Sequence, residues 1–488
     1  MSRNTPVPRA GARLDRLPTS RFHWTVFAMV AFGLLVGWSN AIGGLVLAVL
    51  KDIGWADNDS AAVFSSLTTA GMFAGALVGG ALGDRFGRRR GFLVFVLLHI
   101  VTMVVAALAP SMTFLIVVRV VMGLALGGLL TVLFASWTEY VPSRDRGTWS
   151  SRASFVGNWS YPVCSLIASF LVGAVAPELN WRIQFLIPAV TSTVVLVVVY
   201  RSFPESPRWL ESKGRYEEAN ALLDRIEAQV EASQGIILEP VGDAEGRQAG
   251  ADGTGATGGA EGAEGAVDLP YRALFRGELL KRVVVGSFVL VAMNVIQYTL
   301  INWLPTMLLS QGIDLKGSVV LNTMSMFGAP LGIFIAVLVI DRVPRRAFGI
   351  GLLLVIAVLG YVYSLQTSML ALSVAGFVLI IVVYMYVCFA SAVYVPEIWP
   401  TAAKLRGSGL ANSVGRISGI LSPYAVAALL GASGVPAVFV LLGATAVLTA
   451  VIIGLMGVES RGVSIESISR VGPDRPDPDP QPTERSTR

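Results

Sequence analysis

Long apolar runs alternate with short polar connections along most of this chain. A helix needs roughly 20 consecutive apolar residues to cross a bilayer, and the sequence contains twelve such runs. In the first half they are Trp24–Leu50, Ala61–Leu82, Gly91–Ala109, Phe114–Trp137, Phe155–Val175 and Ile183–Tyr200. In the second half they are Val283–Leu309, Val319–Ile340, Phe348–Leu365, Met369–Val393, Gly409–Leu430 and Ala437–Met456. The pattern predicts an all-α membrane protein with twelve transmembrane helices.

A polar stretch separates the sixth apolar run from the seventh. It opens with "ESPRWLESKGRYEEANALLDRIEAQVEA", which has helical periodicity, and continues as "GDAEGRQAGADGTGATGGAEGAEGA", which has too little apolar surface to order itself. We expect one or two short helices followed by disorder. The predicted units are a tail at 1–23, a six-helix bundle at 24–203, a central loop at 204–281, a second six-helix bundle at 282–458 and a tail at 459–488.

Composition agrees with a membrane protein and excludes several other classes. Of the 488 residues, 54% are hydrophobic and 14% are charged, whereas soluble domains carry about a quarter charged residues. The net charge of +5 is spread between apolar runs rather than collected in a patch, so nucleic acid is not expected as a partner. Cys164 and Cys388 both lie in apolar runs, which argues against a disulfide framework and against a metal site.

Positive charge collects in alternate connections, as in "GDRFGRRR" at 83–90, whereas connections such as "KDIGWADNDS" carry little. Lys and Arg favour the cytoplasmic side of a membrane protein. The distribution therefore predicts a multi-pass protein of the cell membrane with both termini and the central loop in the cytoplasm.

The charged connections recur at a nearly constant offset. The pattern of Asp84 and Arg88 returns 257 residues later at Asp341 and Arg345. The second pattern, Glu139-x2-Pro142-x3-Arg146, returns 258 residues later as Glu397-x2-Pro400-x3-Lys404. Two motifs with nearly the same offset indicate two copies of a six-helix unit. Transporters built from such repeats bind substrate near the middle of the bilayer, where the halves meet.

Several of these motifs resemble those of a known family. "GALGDRFGRRRG" is similar to the loop signature of the major facilitator superfamily, and Arg119-x3-Gly123-x3-Gly127 resembles its fourth-helix signature. "EYVPSRDRG", "PESPRWL" and "YVPEIWP" resemble the sugar porters and their metabolite-transporting relatives. "INWLPTMLLSQG" and "GSGLANSVGRISGILSP" are closer to aromatic-acid and nicotinate permeases. The resemblance covers all twelve runs and implies a secondary transporter that works by alternating access.

The sequence departs from that family in two places. Pro344 stands where the second loop motif has Gly in the family. The first apolar run reads "GLLVGWSNAIGG", with no carboxylate where proton-coupled relatives carry Asp. The sequence therefore leaves three alternatives open: proton symport, facilitated diffusion and export. If transport is coupled to protons, Glu139 and Asp84 are the nearest candidates to carry them.

The loop charges predict a gate between the two bundles. Asp84 is expected to face the start of the eleventh helix, where the helix dipole favours an anion, and Arg88 to pair with Glu139. Gly87 suits a tight turn. The alternative is that the arginines only mark the cytoplasmic side. The predicted gating residues are Gly80, Asp84, Gly87, Arg88, Glu139, Arg146, Asp341, Arg345, Glu397 and Lys404.

Polar and aromatic residues inside the apolar runs predict a lined cavity. An Arg within the bilayer costs roughly 2.5 to 3.5 kcal/mol on insertion scales, and amides facing lipid would lack hydrogen-bond partners. The alternatives are hydrogen bonds between helices or aromatic anchors at the membrane surface. The predicted substrate-binding residues are Trp38, Ser39, Asn40, Arg119, Asn158, Gln297, Tyr298, Asn302, Trp303, Asn412 and Arg416.

The sequence lacks the phosphate loop, the zinc-protease helix and the nucleophile elbow. We therefore expect a transporter with no enzymatic activity and no cofactor, driven by an ion gradient or by the substrate's own gradient. The expected partners are a small polar metabolite and the lipid bilayer, with protons left open, and the expected state is a monomer. An organic or aromatic carboxylate is favoured. The alternatives are a sugar or polyol porter or facilitator, or a non-transporting nutrient sensor on the same fold.

Overall fold

The computed structural model describes residues 10–35, 37–142, 146–238, 271–340, 342–400 and 403–459. Across these ranges the regular structure is helical, apart from an isolated bridge between Val172 and Val175. The all-α prediction is confirmed. The disorder predicted for the central loop falls mainly at 239–270, and the predicted C-terminal tail falls mostly at 460–488. Both segments lie outside the described residues.

The helices follow the predicted apolar runs with a few additions. In the first half they are α1 (Ala10–Asp15), α2 (Arg21–Leu35), α3 (Trp38–Asp52), α4 (Asn58–Phe86), α5 (Arg88–Ala107), α6 (Met112–Tyr140), α7 (Arg146–Asn158), α8 (Ser160–Leu171) and α9 (Pro177–Ser202). The central loop forms α10 (Pro207–Ser212) and α11 (Tyr216–Gln234).

The second half begins with a short 3-10 turn at Tyr271–Phe275. Its helices are α12 (Gly277–Ser310), α13 (Leu315–Met326), α14 (Gly328–Val339), α15 (Arg345–Ser364), α16 (Met369–Cys388), α17 (Val395–Glu397) and α18 (Lys404–Met456). A π-helical turn at Phe389–Tyr394 joins α16 to α17.

Nine helical stretches of the described chain are long and apolar enough to cross a membrane. The first and fifth predicted runs are missing from this number because each is broken into two shorter helices, near Gly37 and Trp159. The eleventh and twelfth runs count once because α18 contains both, with a kink at Gly434. All twelve predicted runs are thus accounted for in a multi-pass membrane protein.

Side-chain caps start several of the long helices. The Asp57 carboxylate accepts the N–H of Ser60 at 2.8 Å, and the Ser60 hydroxyl accepts the N–H of Asp57 at 2.9 Å. Ser111 and Ser368 cap α6 and α16 in the same way, through one hydroxyl each. These caps satisfy N–H groups that have no partner inside the helix, so the turns between spans are short.

Helices α4 and α6 pack with their backbones in contact. A Cβ added at Gly75 would collide with the backbone of Leu124, and one added at Gly127 would collide with the backbone of Met72. Glycine is required here because small residues let helices approach closely in a membrane. The glycines of the signature that begins at Arg119 therefore lie where α6 packs against α4.

Candidate functional site

A cavity of about 380 Å³ lies between the two halves. Helices α2 to α4 and α6 to α8 form most of its wall, and α12, α16 and α18 complete it. Its polar lining residues are Asn40, Thr131, Ser154, Asn158, Ser160, Tyr161, Gln297, Tyr298 and Arg416. Among the described lining residues, Arg416 is the single charged side chain. The cavity can therefore hold a small polar ligand and offers a cation to an anionic group.

Five of the predicted binding residues line this cavity: Asn40, Asn158, Gln297, Tyr298 and Arg416. Helix α18 can approach α12 here because Gly419 packs against the Tyr298 ring, where an added Cβ would lie 2.9 Å from Cδ2. Thr131, Ser154 and Ser160 also line the cavity and were not predicted from the sequence. Thr131 could have been found, because it lies one helical turn after Gly127, which also lines the cavity.

Other predicted binding residues lie elsewhere. Arg119 is buried with its guanidinium carbon 4.5 Å from the centre of the Phe64 ring. A Cβ added at Gly43 would lie 2.6 Å from Arg119 Nη2 and 3.7 Å from Asn302 Oδ1, so these two candidates meet beside α3. Trp303 is buried outside the cavity lining.

Of the three remaining candidates, only the side chain of Asn412 is described. The Asn412 amide is exposed and donates to the backbone oxygen of Ser408 at 2.9 Å. The side chains of Trp38 and Ser39 lie outside the described residues, although their backbone begins α3.

A cluster of polar side chains joins the two halves at one end of the bundle. The hydroxyl oxygen of Thr323 lies 2.8 Å from that of Ser165 and 2.8 Å from that of Ser169. Asn322 Nδ2 donates to Ser165 Oγ at 2.8 Å. Hydrogen bonds between membrane helices hold them together, so this end is closed.

Backbone contact and ring packing reinforce that closed end. A Cβ added at Gly44 of α3 would lie 2.6 Å from the backbone oxygen of Ile301 in α12. Below this contact, the rings of Tyr161 and Tyr384 meet across the halves with centres 5.8 Å apart. Tyr161 also lines the cavity, so the cavity ends at the closed side.

The opposite end of the bundle carries the charged connections and both ends of the described chain. The N–H of Ala10 donates to Glu211 in α10 at 2.9 Å, and Trp209 of α10 donates its ring N–H to the backbone oxygen of Asp84 at 2.9 Å. Glu459 accepts the N–H of Arg345 at 2.8 Å. We call this side the terminal end.

The first charged cluster lies at the terminal end of α4, α5 and α6. The buried Arg88 donates from Nη1 to Asp84 at 2.6 Å and from Nη2 to Glu139 at 2.9 Å. Gly87 links α4 to α5 with φ of 103°, a conformation that side chains disfavour. Glu205 accepts the N–H of Arg88 at 2.8 Å and the N–H of Arg89 at 3.2 Å, which places an anion at the start of α5.

The second charged cluster repeats this arrangement around α15. Arg345 Nε donates to Glu397 at 3.2 Å, and Nη1 donates to the backbone oxygen of Ile340. Glu459 accepts the N–H groups of Arg345 and Arg346 at 2.8 and 3.1 Å. Glu205 and Glu459 belong to these clusters in the structure but were not predicted from the sequence.

Some predicted gating residues make no described contact with either cluster. A Cβ added at Gly80 would have nothing within 4 Å. Asp341 and the side chains of Arg146 and Lys404 lie outside the described residues. The pairs of Arg88 with Asp84 and Glu139 lie within the first half, and the pair of Arg345 with Glu397 lies within the second half. The contact of Asp84 with the start of α18 stays a prediction.

Comparison with known proteins matches residues 27–423 to the Major Facilitator Superfamily model. YdjK of Escherichia coli (strain K12), named for metabolite transport, is 60% identical over 95% of this chain and 97% of its own. The niacin transporter NiaP of Acinetobacter baylyi is 26% identical over 94% of this chain and 99% of its own.

Among solved structures, the inward-open xylose transporter XylE from E. coli superposes with a TM-score of 0.71. It is 16% identical and covers 91% of this chain and 99% of its own. At this identity the likeness concerns the fold alone.

Proposed function

This chain belongs to the Major Facilitator Superfamily and is a membrane transporter of metabolites rather than an enzyme; we propose that it carries a small organic or aromatic carboxylate by alternating access. Arg416 is the observation that carries the proposal, because it places a cation in the central cavity. A charged residue inside a membrane bundle marks a substrate or ion path. A guanidinium binds a carboxylate through two parallel hydrogen bonds.

The named substrates of two relatives support a carboxylate. One relative is named for niacin at 26% identity and another for benzoate at 23% identity. Niacin and benzoate each consist of an aromatic ring with one carboxylate. In this chain such a ligand would place its carboxylate on Arg416 and its ring against Phe134 and Tyr298, which line the same cavity.

Alternating access is proposed from the difference between the two ends. Hydrogen bonds from Thr323 to Ser165 and Ser169 close one end, whereas the described charged pairs at the terminal end stay within their own halves. We propose that the terminal end faces the cytoplasm and that this is the inward-facing state. In the outward-facing state the Thr323 contacts break, and Asp84 reaches the start of α18.

A sugar or polyol is the second candidate. The amides of Asn40, Asn158 and Gln297 line the cavity, and amides bind hydroxyl groups as donors and as acceptors. Uptake of a neutral sugar without a carboxylate would favour this candidate over the first.

Purified protein in proteoliposomes tests the proposal. Uptake of benzoate, nicotinate and glucose is measured with and without a pH gradient. Arg416→Gln should reduce carboxylate uptake roughly tenfold or more, because it removes a charge-assisted hydrogen bond. The matched control is Arg225→Gln, since Arg225 lies on the exposed surface of α11 and donates only to its own helix.

Each other result has a defined meaning. Unchanged carboxylate uptake by Arg416→Gln contradicts the role of Arg416. Binding of an acid without uptake supports the nutrient sensor. Stimulation by a pH gradient assigns proton symport, for which Asp84 and Glu139, both paired with Arg88, are the proposed carriers. Equilibration that is independent of the gradient excludes symport.

A further inference from the structure

The polar groups of the cavity differ between its two walls. The second half contributes Arg416, Gln297 and Tyr298. The described polar lining residues of the first half are uncharged amides and hydroxyls, among them Thr131 and Asn158. A ligand that fills the cavity therefore meets a cation on one wall and neutral polar groups on the other.

Hydrogen bonds within the first half decide what its polar groups offer. The Thr131 hydroxyl donates to the backbone oxygen of Gly127 at 2.9 Å, which leaves only its lone pairs for a ligand. Asn158 Nδ2 donates to the backbone oxygen of Ser154 at 2.7 Å. The Thr131 hydroxyl oxygen is therefore presented only as an acceptor, whereas Asn158 presents its carbonyl oxygen as an acceptor and keeps one amide hydrogen for a ligand.

A carboxylate cannot satisfy these acceptors, because an ionised carboxylate has no hydrogen to donate. An unsubstituted aromatic ring has no hydroxyl to donate either. Covering a part-buried acceptor with a ligand group that cannot donate costs free energy, because the acceptor loses its contact with water. The ligand that suits both walls carries a carboxylate for Arg416 and hydroxyl groups for Thr131 and Asn158.

The size of the cavity limits the ligand further. Small-molecule sites occupy roughly 300 to 1,000 Å³, and this cavity of about 380 Å³ is near the lower limit. One short carbon chain fits this space better than two linked sugar units. Resting on the proposed carboxylate transport, we propose that the substrate is a polyhydroxy monocarboxylate, a sugar acid of the aldonate type.

A polyhydroxy monocarboxylate would contact both six-helix bundles at once. Its carboxylate is bound by Arg416 of α18 and its hydroxyls by Thr131 of α6 and Asn158 of α7. A molecule with one anionic group and several neutral donors therefore contacts both halves across the cavity.

Uptake into proteoliposomes tests the substrate class. The probes are D-gluconate, D-galactonate and D-mannonate, compared with D-glucose, which lacks the carboxylate, and benzoate, which lacks the hydroxyls. At least one aldonate should enter about tenfold faster than either comparison compound. Benzoate uptake without aldonate uptake overturns the inference and leaves the carboxylate proposal standing. Uptake of glucose alone, or of none of the probes, overturns both.

Thr131→Val separates recognition of hydroxyls from recognition of the carboxylate. The variant keeps the side-chain shape and removes the acceptor, so aldonate uptake should fall roughly threefold to tenfold, while any residual benzoate uptake is unchanged. Thr445→Val is the matched control, since Thr445 makes the same bond to its own helix, to the backbone oxygen of Leu441 at 2.8 Å, outside the cavity. An equal loss in both threonine variants contradicts the inference, as does unchanged aldonate uptake by Thr131→Val.

Discussion

The two charged clusters at the terminal end share one plan but differ in how deeply they are covered. In each, an Arg at the start of a helix binds a Glu from a neighbouring helix, and a second Glu accepts two backbone N–H groups. Yet the Glu139 side chain is 14% exposed, whereas that of Glu397 is 35% exposed. The repeated geometry holds each bundle together, and the covering differs from one half to the other.

The covering of the first cluster comes from the central loop. Trp209 of α10 bonds to the backbone of Asp84, and both Trp209 and Glu205 lie against Gly87. Gly87 has a positive φ of 103°, whereas Pro344 has φ of −55° at the corresponding position in the second half. The turn at Pro344 does not need a positive φ. The second half can therefore carry Pro where the family motif has Gly.

The largest expected effect comes from removing the two arginines. Arg88→Gln leaves Glu139 half-buried without its cation, and breaking such a pair costs about 3–5 kcal/mol. Arg345→Gln should cost less, about 1–3 kcal/mol, because Glu397 is nearer to solvent. The unfolding temperature of each variant in detergent measures the difference.

A double substitution serves as the control for this comparison. Arg88→Gln with Glu139→Gln removes the uncompensated carboxylate and should recover part of the lost stability. Equal unfolding temperatures for Arg88→Gln and Arg345→Gln would show that the difference in covering has no energetic consequence.

A smaller effect is expected from the two turns. Gly87→Ala forces a side chain into a left-handed conformation, which costs about 1–3 kcal/mol, and presses it against Glu205. Gly214→Ala is the matched control, because Gly214 has φ of 72° and nothing within 4 Å of an added Cβ. Pro344→Ala should change little. If Gly214→Ala lowers the unfolding temperature as much as Gly87→Ala does, the contact with Glu205 has no role in the loss.

The smallest expected effect concerns α1, which packs against α10 and α11 of the central loop. Arg13 and Arg16 bind Glu227 at 2.7 and 2.6 Å. Burial opposes the charge on Glu227, but the hydrogen bonds from Arg13 and Arg16 outweigh it and lower the pKa of this carboxyl. Glu227→Gln should cost about 1 kcal/mol.

The pH dependence of that last effect follows from the lowered pKa. The stabilisation is complete above the unfolded-state pKa of about 4.3 and is lost as the pH falls through the lower folded-state pKa. Wild type and Glu227→Gln should therefore differ in unfolding temperature at pH 7 and converge in acid. Glu218→Gln, which breaks an exposed pair with Arg215, is the control. A difference that persists in acid would contradict the ionic origin.

Hydropathy was enough to predict the spans. The spacing of the repeated motifs was enough to predict that Glu139 belongs with Arg88 and Glu397 with Arg345. They did not lead to Glu205 and Glu459, because these bind backbone N–H groups more than a hundred residues away in the chain. One sign was present in the sequence: each Glu is followed by Ser, just after the sixth and the twelfth apolar runs.

The candidate site was only partly predictable for a different reason. Polar residues that avoid lipid can face either the cavity or a neighbouring helix, and composition treats both alike. Gln297 and Tyr298 reach the cavity, whereas Asn302 and Trp303, one turn later on α12, are buried. Beside these two residues, α3 approaches the backbone of α12 at Gly44 and Ile301, a contact between distant parts of the chain that no local pattern shows.

The tight connection between the last two spans has a practical consequence for labelling the protein. The two spans within Lys404–Met456 meet at Gly434, whose φ of 75° and ψ of −169° are non-helical. An epitope tag or protease site inserted there would separate two helices that meet without a longer loop between them. The turn at Gly54 between α3 and α4 has open space around it and is the better site for a reporter on that face.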